Sequence, residues 1–544
     1  MLDRVFYALY TGTRLPRRVR GGRRASGWYY GPMEAVVRRI AWAAVLLVLA
    51  AGLASGSCHA EAAAGVVYRD ANGNGMRDAG EEGLSNVRVS NGREVVRTDE
   101  EGRYSVPVTE DTIVFVIKPR GWMTRVDANG LPRFYYIHKP EGSPKLEYPG
   151  VEPTGPLPAS IDFPLYPRGE RDWFRVVFLG DTQVGSEEEV QYLGNDVVQE
   201  LMGTDAVFGV TLGDIVNDKL DLFDSLNRTV GLIGIPWYNV RGNHDSNYDA
   251  VPNRKLVDET FERVYGPSYY SFDYGQVHFI VLDNVEFSAG RRYRAGLDAD
   301  QMEFLKNDLA ECPDEQLVCV MSHIPPNEMR NREQVLGVLS AHPNSFWMAG
   351  HWHVHQHLFL DEKDGWNGYK PLHAQVTVTA CGSWWTGSKD ELGIPHTTMR
   401  DGAPNGYSIA TFAGSRYYLR FKASRRPPEY QMNISAPEQV KVAEAERTEV
   451  LANVFDGSEY SRVEMRLGAR GEWAEMAKVR KKDPYYEAVK ARPERIPDAG
   501  ISGHIWRGYL PANSAAGKYM IEVRATDMFG QTSVGYRPIV ISEN

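Results

Sequence analysis

An α/β core between two all-β flanks is the fold class that this sequence predicts, and three observations predict it. From Trp173 to about Lys422, apolar runs of strand length alternate with segments whose apolar residues recur at helical spacing. Residues 64–168 lack that period and show Val-, Tyr- and Ile-rich runs broken by Gly, Asn, Asp and Pro. From about Pro427 onward strand-like alternation returns, with turns at Gly468, Gly517 and Gly530, as in a small sandwich. The chain has 544 residues, more than one core accommodates. Its boundaries read as a leader over 1–60, an N-terminal β-sandwich over 64–168, an α/β domain over 173–425 and a C-terminal β domain over 427–544.

The leader differs from the rest in charge. It carries nine Arg against Asp3 and Glu34, which leaves 52 basic and 69 acidic side chains elsewhere. A body so acidic is a poor partner for nucleic acid, whose binding proteins neutralise phosphates. Residues 40–54 form an apolar run after Arg38-Arg39, and small residues follow, with Ala60 and Ala62 offering cleavage. Basic, apolar, then small is the order of a secretory signal, and the run is short for a membrane span. Met33 would begin a regular signal peptide, with residues 1–32 as an upstream extension. Ser57-Cys58 raises a lipid anchor at Cys58, although Ser55 stands where a lipobox wants Leu. The expectation is an exported chain, periplasmic, secreted or surface-associated, with no transmembrane segment after cleavage. Cys312, Cys319 and Cys381 then remain; Cys312 and Cys319 could pair around a turn at Pro313-Asp314, but the sequence requires no disulfide.

In the first β module, Asp70, Asn72, Asn74, Met76, Asp78 and Glu81 occupy the ligand spacing of a calcium loop, with Gly75 at the sharp turn. The preceding residues 65–68 are strand-like, so the segment resembles B-repeat sandwiches of bacterial surfaces, where such a loop binds calcium. A polar Asx-turn loop without an ion is the alternative. Residues 148–167 are proline-rich and read as a link.

Five stretches in the α/β region concentrate metal-binding side chains: Asp181-Thr182-Gln183, Gly213-Asp214, Gly242-Asn243-His244-Asp245, Ser322-His323 and Gly350-His351-Trp352-His353. Most follow apolar runs, at residues 176–179, 207–212, 317–321 and 346–349, that read as buried strands. Ends of parallel strands share one sheet edge, where ligands bind. Carboxylate, amide and imidazole in one crevice suit divalent transition metals. Helices are expected over 190–202, 256–264 and 302–309, and a further strand over 277–283.

In this order the five blocks resemble the calcineurin-like metallophosphoesterase family, in a bacterial subgroup with extra N- and C-terminal β domains. Gln183 stands where that family usually has His. The resemblance implies a central sandwich of two mixed sheets flanked by helices, and two divalent ions of the manganese, iron or zinc class. It implies that Asp181, Asp214, His353 and Gln183 hold one ion, that Asp214, Asn243, His323 and His351 hold the other, and that a bridging hydroxide attacks a phosphate mono- or diester. His244 would serve as general acid or stabilise the developing negative charge, oriented by Asp245. Arg241 would assist with phosphate or be solvated; His355 and His357 would share a face with His351 and His353, as outer-shell or surface residues; Asp218 and Asp221 would begin a solvated helix. Trp384, Trp385 and Asn405 are candidate substrate-pocket residues, with core packing the alternative for the two indoles. The last domain shows no catalytic constellation, and Arg480-Lys481-Lys482 reads as a solvated loop. The function expected is a dinuclear-metal phosphoesterase acting on a small-molecule, glycan-linked or lipid-linked phosphoester. The alternative is a catalytically weak surface protein that binds carbohydrate or cell envelope.

Overall fold

The computed structural model describes residues 61–251, 253–288, 291–490 and 496–543. The leader features at Arg38, Met33 and Cys58 lie outside them. Among the described residues no helix is long and apolar enough to cross a membrane.

Two mixed sheets form the α/β region. The first runs Trp237–Val240, Ala206–Leu212, Trp173–Leu179, Gly406–Ala413, Arg416–Ala423; its first three strands are parallel and the last two antiparallel additions. The second runs Tyr270–Tyr274, Val277–Leu282, Leu317–Ser322, Ser345–Ala349, Leu372–Val376, Gln356–Leu360, with four parallel strands inside two antiparallel ones. Side-chain alternation sorts the faces. Val176, Phe178, Phe208 and Val210 of the first sheet share one core with Phe279, Val281, Cys319 and Met321 of the second. Phe208 meets Phe279 edge-on at 5.2 Å. The opposite faces are covered by helices: Val177 and Leu179 by Phe223–Gly231 and Glu259–Tyr265, Ile280 and Val320 by Ala299–Ala310 and Arg332–Leu339.

Local chemistry fixes the helix ends. The Ser186 hydroxyl accepts from the Glu189 N–H, and the Asp298 carboxylate from the Gln301 N–H, each capping the helix it precedes. The helix expected over 190–202 is present as Glu187–Leu193, a π-turn at Gly194–Val198 and a last helical piece at Gln199–Leu201. The turn carries Asp196, which is buried and accepts hydrogen bonds from Asn405 and Arg425.

Two four-stranded sheets precede this region, and their apolar residues merge with its core in one cluster. Loop 70–81 closes on itself: Asp70 accepts the N–H groups of Gly73 and Gly75, Glu81 those of Ala71 and Asp78, and Asp78 the amides of Asn72 and Asn74. The Met76 side chain is exposed. After residue 427 a four-stranded and a five-stranded sheet enclose a separate apolar core. Arg480 to Lys482, expected as a loop, lie in the strand Ala477–Lys482, where Lys481 pairs with Glu449 at 2.7 Å. Cys312 and Cys319 are both buried and free, so the disulfide considered between them is absent.

A buried ion set ties the N-terminal sheets to the core. Arg88 pairs with Asp273 at 2.7 Å and Asp308 at 3.3 Å, and His278 bonds both carboxylates at 2.7 and 2.9 Å. Burial alone would lower the His278 pKa, but Asp308 and Asp273 outweigh it and raise it from 6.5 to about 9. Its stabilising contribution is therefore complete below pH 6.5 and is lost as pH rises through about 9. Thermal unfolding should show a midpoint that falls over that window, and the fall should be smaller in His278→Gln. Arg88→Met leaves two buried carboxylates short of a cation and should cost about 3 kcal/mol or more in denaturant unfolding.

Candidate metal centre

Each of the five blocks sits where a strand ends. Leu179, Leu212 and Val240 close parallel strands of the first sheet, and Ser322 and Ala349 close parallel strands of the second. Asp181, Asp214, Asn243, His323 and His351 follow within three residues, all at carboxyl ends. Two glycines permit the approach. A Cβ on Gly242 would overlap the Asp214 backbone, and one on Gly350 would lie 2.5 Å from Asp181 Oδ1 and 3.0 Å from the Leu212 carbonyl. Backbone strain gathers here as well. Among the described residues nine non-glycines have positive φ, and Gln183, Asp214, Asp218, His351, His353, Trp384 and Trp385 are seven of them.

Asp214 is the hub. Its Oδ1 accepts the His244 backbone N–H at 2.9 Å, and its Oδ2 lies 3.2 Å from His323 Nε2. His323 donates its Nδ1–H to the Leu212 carbonyl at 2.9 Å, which leaves Nε2 facing Asp214, Asn243 Oδ1 at 3.2 Å and His351 Nδ1 at 3.1 Å. Asp181 centres the other half. Its Oδ1 accepts the His351 N–H at 2.9 Å, and its Oδ2 lies 3.2 Å from His353 Nε2. His353 donates its Nδ1–H to the Gly382 carbonyl at 2.8 Å, and its ring stacks on Trp384 at 4.0 Å. Asp181 Oδ2 and the carbonyl Oε1 of buried Gln183 have no hydrogen-bond donor.

The residues fit divalent metal. Asp214, His323 and His351 offer ligand atoms within 4.8 Å of one another. Two buried oxygens wait without donors, which is costly unless a cation serves them. The charges agree. Burial opposes ionisation of Asp214, yet His323 and His244 hold it well below the usual carboxylate range. Burial opposes a proton on His323 too, but Asp214 raises it to about 9. Burial and that same His323 push His351 down to about 4. One positive charge is thus already favoured between these groups, and a metal would displace the proton that supplies it.

His244 departs from its expected partner. Its Nδ1 meets Asp218 Oδ1 at 2.6 Å, and Asp218 Oδ2 accepts from Arg291 at 2.8 Å. Burial lowers the His244 pKa, but Asp214 and Asp218 outweigh it and raise it. Asp245, expected to orient that ring, instead accepts the backbone N–H groups of Gly242 and Val216 and shapes the loop. Asp218 was not a solvated helix start: its backbone, at φ 62°, turns the carboxylate toward His244. Arg241 is not solvated: it is buried and pairs with Asp283 at 2.6 Å.

The expected pocket residues divide. Trp384 reaches the site through His353. Trp385 is buried, donates its indole N–H to the Thr182 carbonyl and packs in the helix-covered core. Asn405 is buried and ties Asp196 to the Ala380 carbonyl, and the cavity it lines, with Thr397, Ser424 and Arg425, includes none of the candidate metal ligands. His355 and His357 leave the centre altogether, because the positive φ at His351 and His353 breaks the alternation that would have aligned all four. Sequence reasoning passed over Tyr293, whose ring meets His351 edge-on at 5.8 Å, and Arg291, which lies 4.2 Å over the Tyr248 ring.

Family models match in three places: calcineurin-like phosphoesterase over residues 174–355, the N terminal of calcineurin-like phosphoesterase over 71–148, and its C terminal over 375–532. Comparison with curated proteins finds no match. Among solved structures, purple acid phosphatase PPD1 from yellow lupin (Lupinus luteus) seeds is 13% identical with a TM-score of 0.36, covering 62% of this chain and 66% of its own, just under two thirds. Superoxide reductase (neelaredoxin) from Ignicoccus hospitalis is 12% identical with a TM-score of 0.13, covering 21% of this chain and 80% of its own. CopC from Methylosinus trichosporium OB3b is 16% identical with a TM-score of 0.13, covering 20% of this chain and 89% of its own. Structural likenesses this slight carry no argument about activity.

Gly242→Ala and Asp245→Asn should each lower the divalent-metal content of the folded chain, measured by inductively coupled plasma mass spectrometry. Asp218→Asn should leave it unchanged.

Proposed function

Because the chain belongs to the calcineurin-like phosphoesterase family, with that family's N- and C-terminal domains, we propose that it hydrolyses a phosphate mono- or diester at a pair of divalent ions. The observation that carries this reading is the pinning of two imidazoles. The Nδ1–H groups of His323 and His353 are committed to backbone carbonyls, so both Nε2 atoms are held toward carboxylates. Asp181, Gln183, Asp214 and His353 would hold one ion, and Asp214, Asn243, His323 and His351 the other. Such a pair lowers the pKa of water and draws negative charge from the ester oxygens.

The chain's own groups do the rest. His244 spends Nδ1 on Asp218, which leaves Nε2 to protonate the departing oxygen. Its raised pKa favours the charged form that a general acid requires. Asp218 positions the ring and Arg291 neutralises the remaining oxygen of Asp218. Trp384 and Tyr293 flank the imidazoles of the two halves and would exclude water beside them. The basic, apolar and small-residue order of the leader supports export of this enzyme.

The reading is tested with purified full chain, loaded with Mn²⁺, on p-nitrophenyl phosphate and its bis ester. Asp214→Asn should lose at least one metal and nearly all turnover. His244→Ala should keep both metals and slow turnover roughly a hundredfold or more, with Asp218→Asn slowed in the same sense. Absence of turnover on a broad phosphoester panel would favour a binding role instead.

A further inference from the structure

A second group of metal-ligating side chains lies away from the centre, where the α/β region meets the C-terminal sandwich. His355 and His357 leave the Gly350-His351-Trp352-His353 turn and enter the strand Gln356–Leu360. Asp456 follows the strand Glu449–Val454 of the sandwich. His355 Nε2 and His357 Nε2 each lie 2.8 Å from Asp456 Oδ1, and all three residues are at most 9% exposed. Among the described residues Asp456 has no Lys or Arg in ion-pair range; its ion pairs are those two imidazoles.

A buried carboxylate needs a counter-charge. His357 has the neighbouring bond that ligating imidazoles commonly have, whereas the buried Nδ1 of His355 has no hydrogen-bond partner among the described residues. His357 Nδ1 lies 2.8 Å from His373 Nε2, and His373 Nδ1 lies 2.8 Å from the Tyr417 hydroxyl. Protons passed outward along that chain turn the His357 Nε2 lone pair onto a carboxylate oxygen, as a cation between them requires; passed inward, they put an Nε2–H on Asp456 instead. A fourth ligand is at hand. The amide nitrogen of buried Gln375 lies 3.3 Å from Asp456 Oδ1, and its Oε1 faces the hydroxyls of Thr377 and Ser408 at 3.4 and 3.3 Å. Those hydroxyls accept as well as donate, so the amide turned over presents its carbonyl to the same point.

We propose that His355, His357 and Asp456, completed by Gln375, form a structural site for zinc or a similar borderline divalent ion, distinct from the catalytic pair. Two imidazoles, a carboxylate and a carbonyl oxygen make a closed tetrahedral set with no open position. Its effect would be to staple the C-terminal sandwich to the segment that carries His351 and His353. The alternative for the same atoms is a hydrogen-bonded lock, with protons on both Nε2 atoms.

The full chain, stripped with chelator and reloaded with zinc chloride, is assayed for zinc per chain. Asp456→Asn and His357→Gln are expected to hold one equivalent less than wild type, and to show a smaller rise of the thermal midpoint on adding zinc. Equal zinc in wild type and in both folded variants would overturn the site. Wild-type crystals soaked in zinc chloride give a reading that needs no variant. An anomalous peak in coordination range of His355 Nε2, His357 Nε2 and Asp456 Oδ1 is expected, and no peak there would overturn it equally.

Discussion

Two backbone carbonyls set the chemistry of this molecule. The Leu212 carbonyl takes the Nδ1–H of His323, and the Gly382 carbonyl takes that of His353. An imidazole has two nitrogens, and committing one decides what the other presents. Here the other nitrogens are turned onto Asp214 and Asp181, among oxygens that have too few donors. Without those carbonyls the rings could turn, and the acceptors would be free to find protons elsewhere. The Leu212 contact also crosses between the sheets, since Leu212 ends a strand of the first and His323 follows a strand of the second. One hydrogen bond therefore aligns two layers and an imidazole together.

The surrounding fold keeps this arrangement from relaxing. Inner faces interlock through aromatic edges such as Phe208 against Phe279, and helices seal the outer faces. Close approach at Gly242 and Gly350 lets loops from different strands touch, and side chains there would push them apart. Strained residues crowd the same loops because the packed sheets hold them. On either side, buried polar groups reach across: Arg88 to Asp273 and Asp308, and Asp456 to His355 and His357. The flanking β regions are thus bound to the core through charged groups as well as apolar ones.

Much of the architecture was legible because periodicity and burial are local signals. The strands at Ala206–Leu212, Val277–Leu282 and Leu317–Ser322 fall where the apolar runs stood, and the ordered blocks pointed to their carboxyl ends. What escaped depended on backbone turns that no local pattern records. Asp218 is four residues beyond Asp214 and reads as a helix start until its positive φ redirects it. Asp245, next to His244 in sequence, points to the backbone of its own loop. His355 and His357 looked aligned with His351 and His353 only on the assumption of a continuous strand. Trp385 and Asn405 looked like pocket residues, and each spends its donor on a neighbouring chain segment. Adjacency in sequence gave the wrong partner where the chain bends sharply, and the right one where it runs straight.

On the proposed function, Asp214 would be shared by two divalent cations. Electron paramagnetic resonance of the manganese-loaded full chain measures that sharing directly, because ions about 4 Å apart through one carboxylate are magnetically coupled. A spin-coupled multiline signal is expected in the wild-type chain, and Asp214→Asn should abolish it. A signal of isolated manganese alone, at full loading of the wild-type chain, would contradict that sharing.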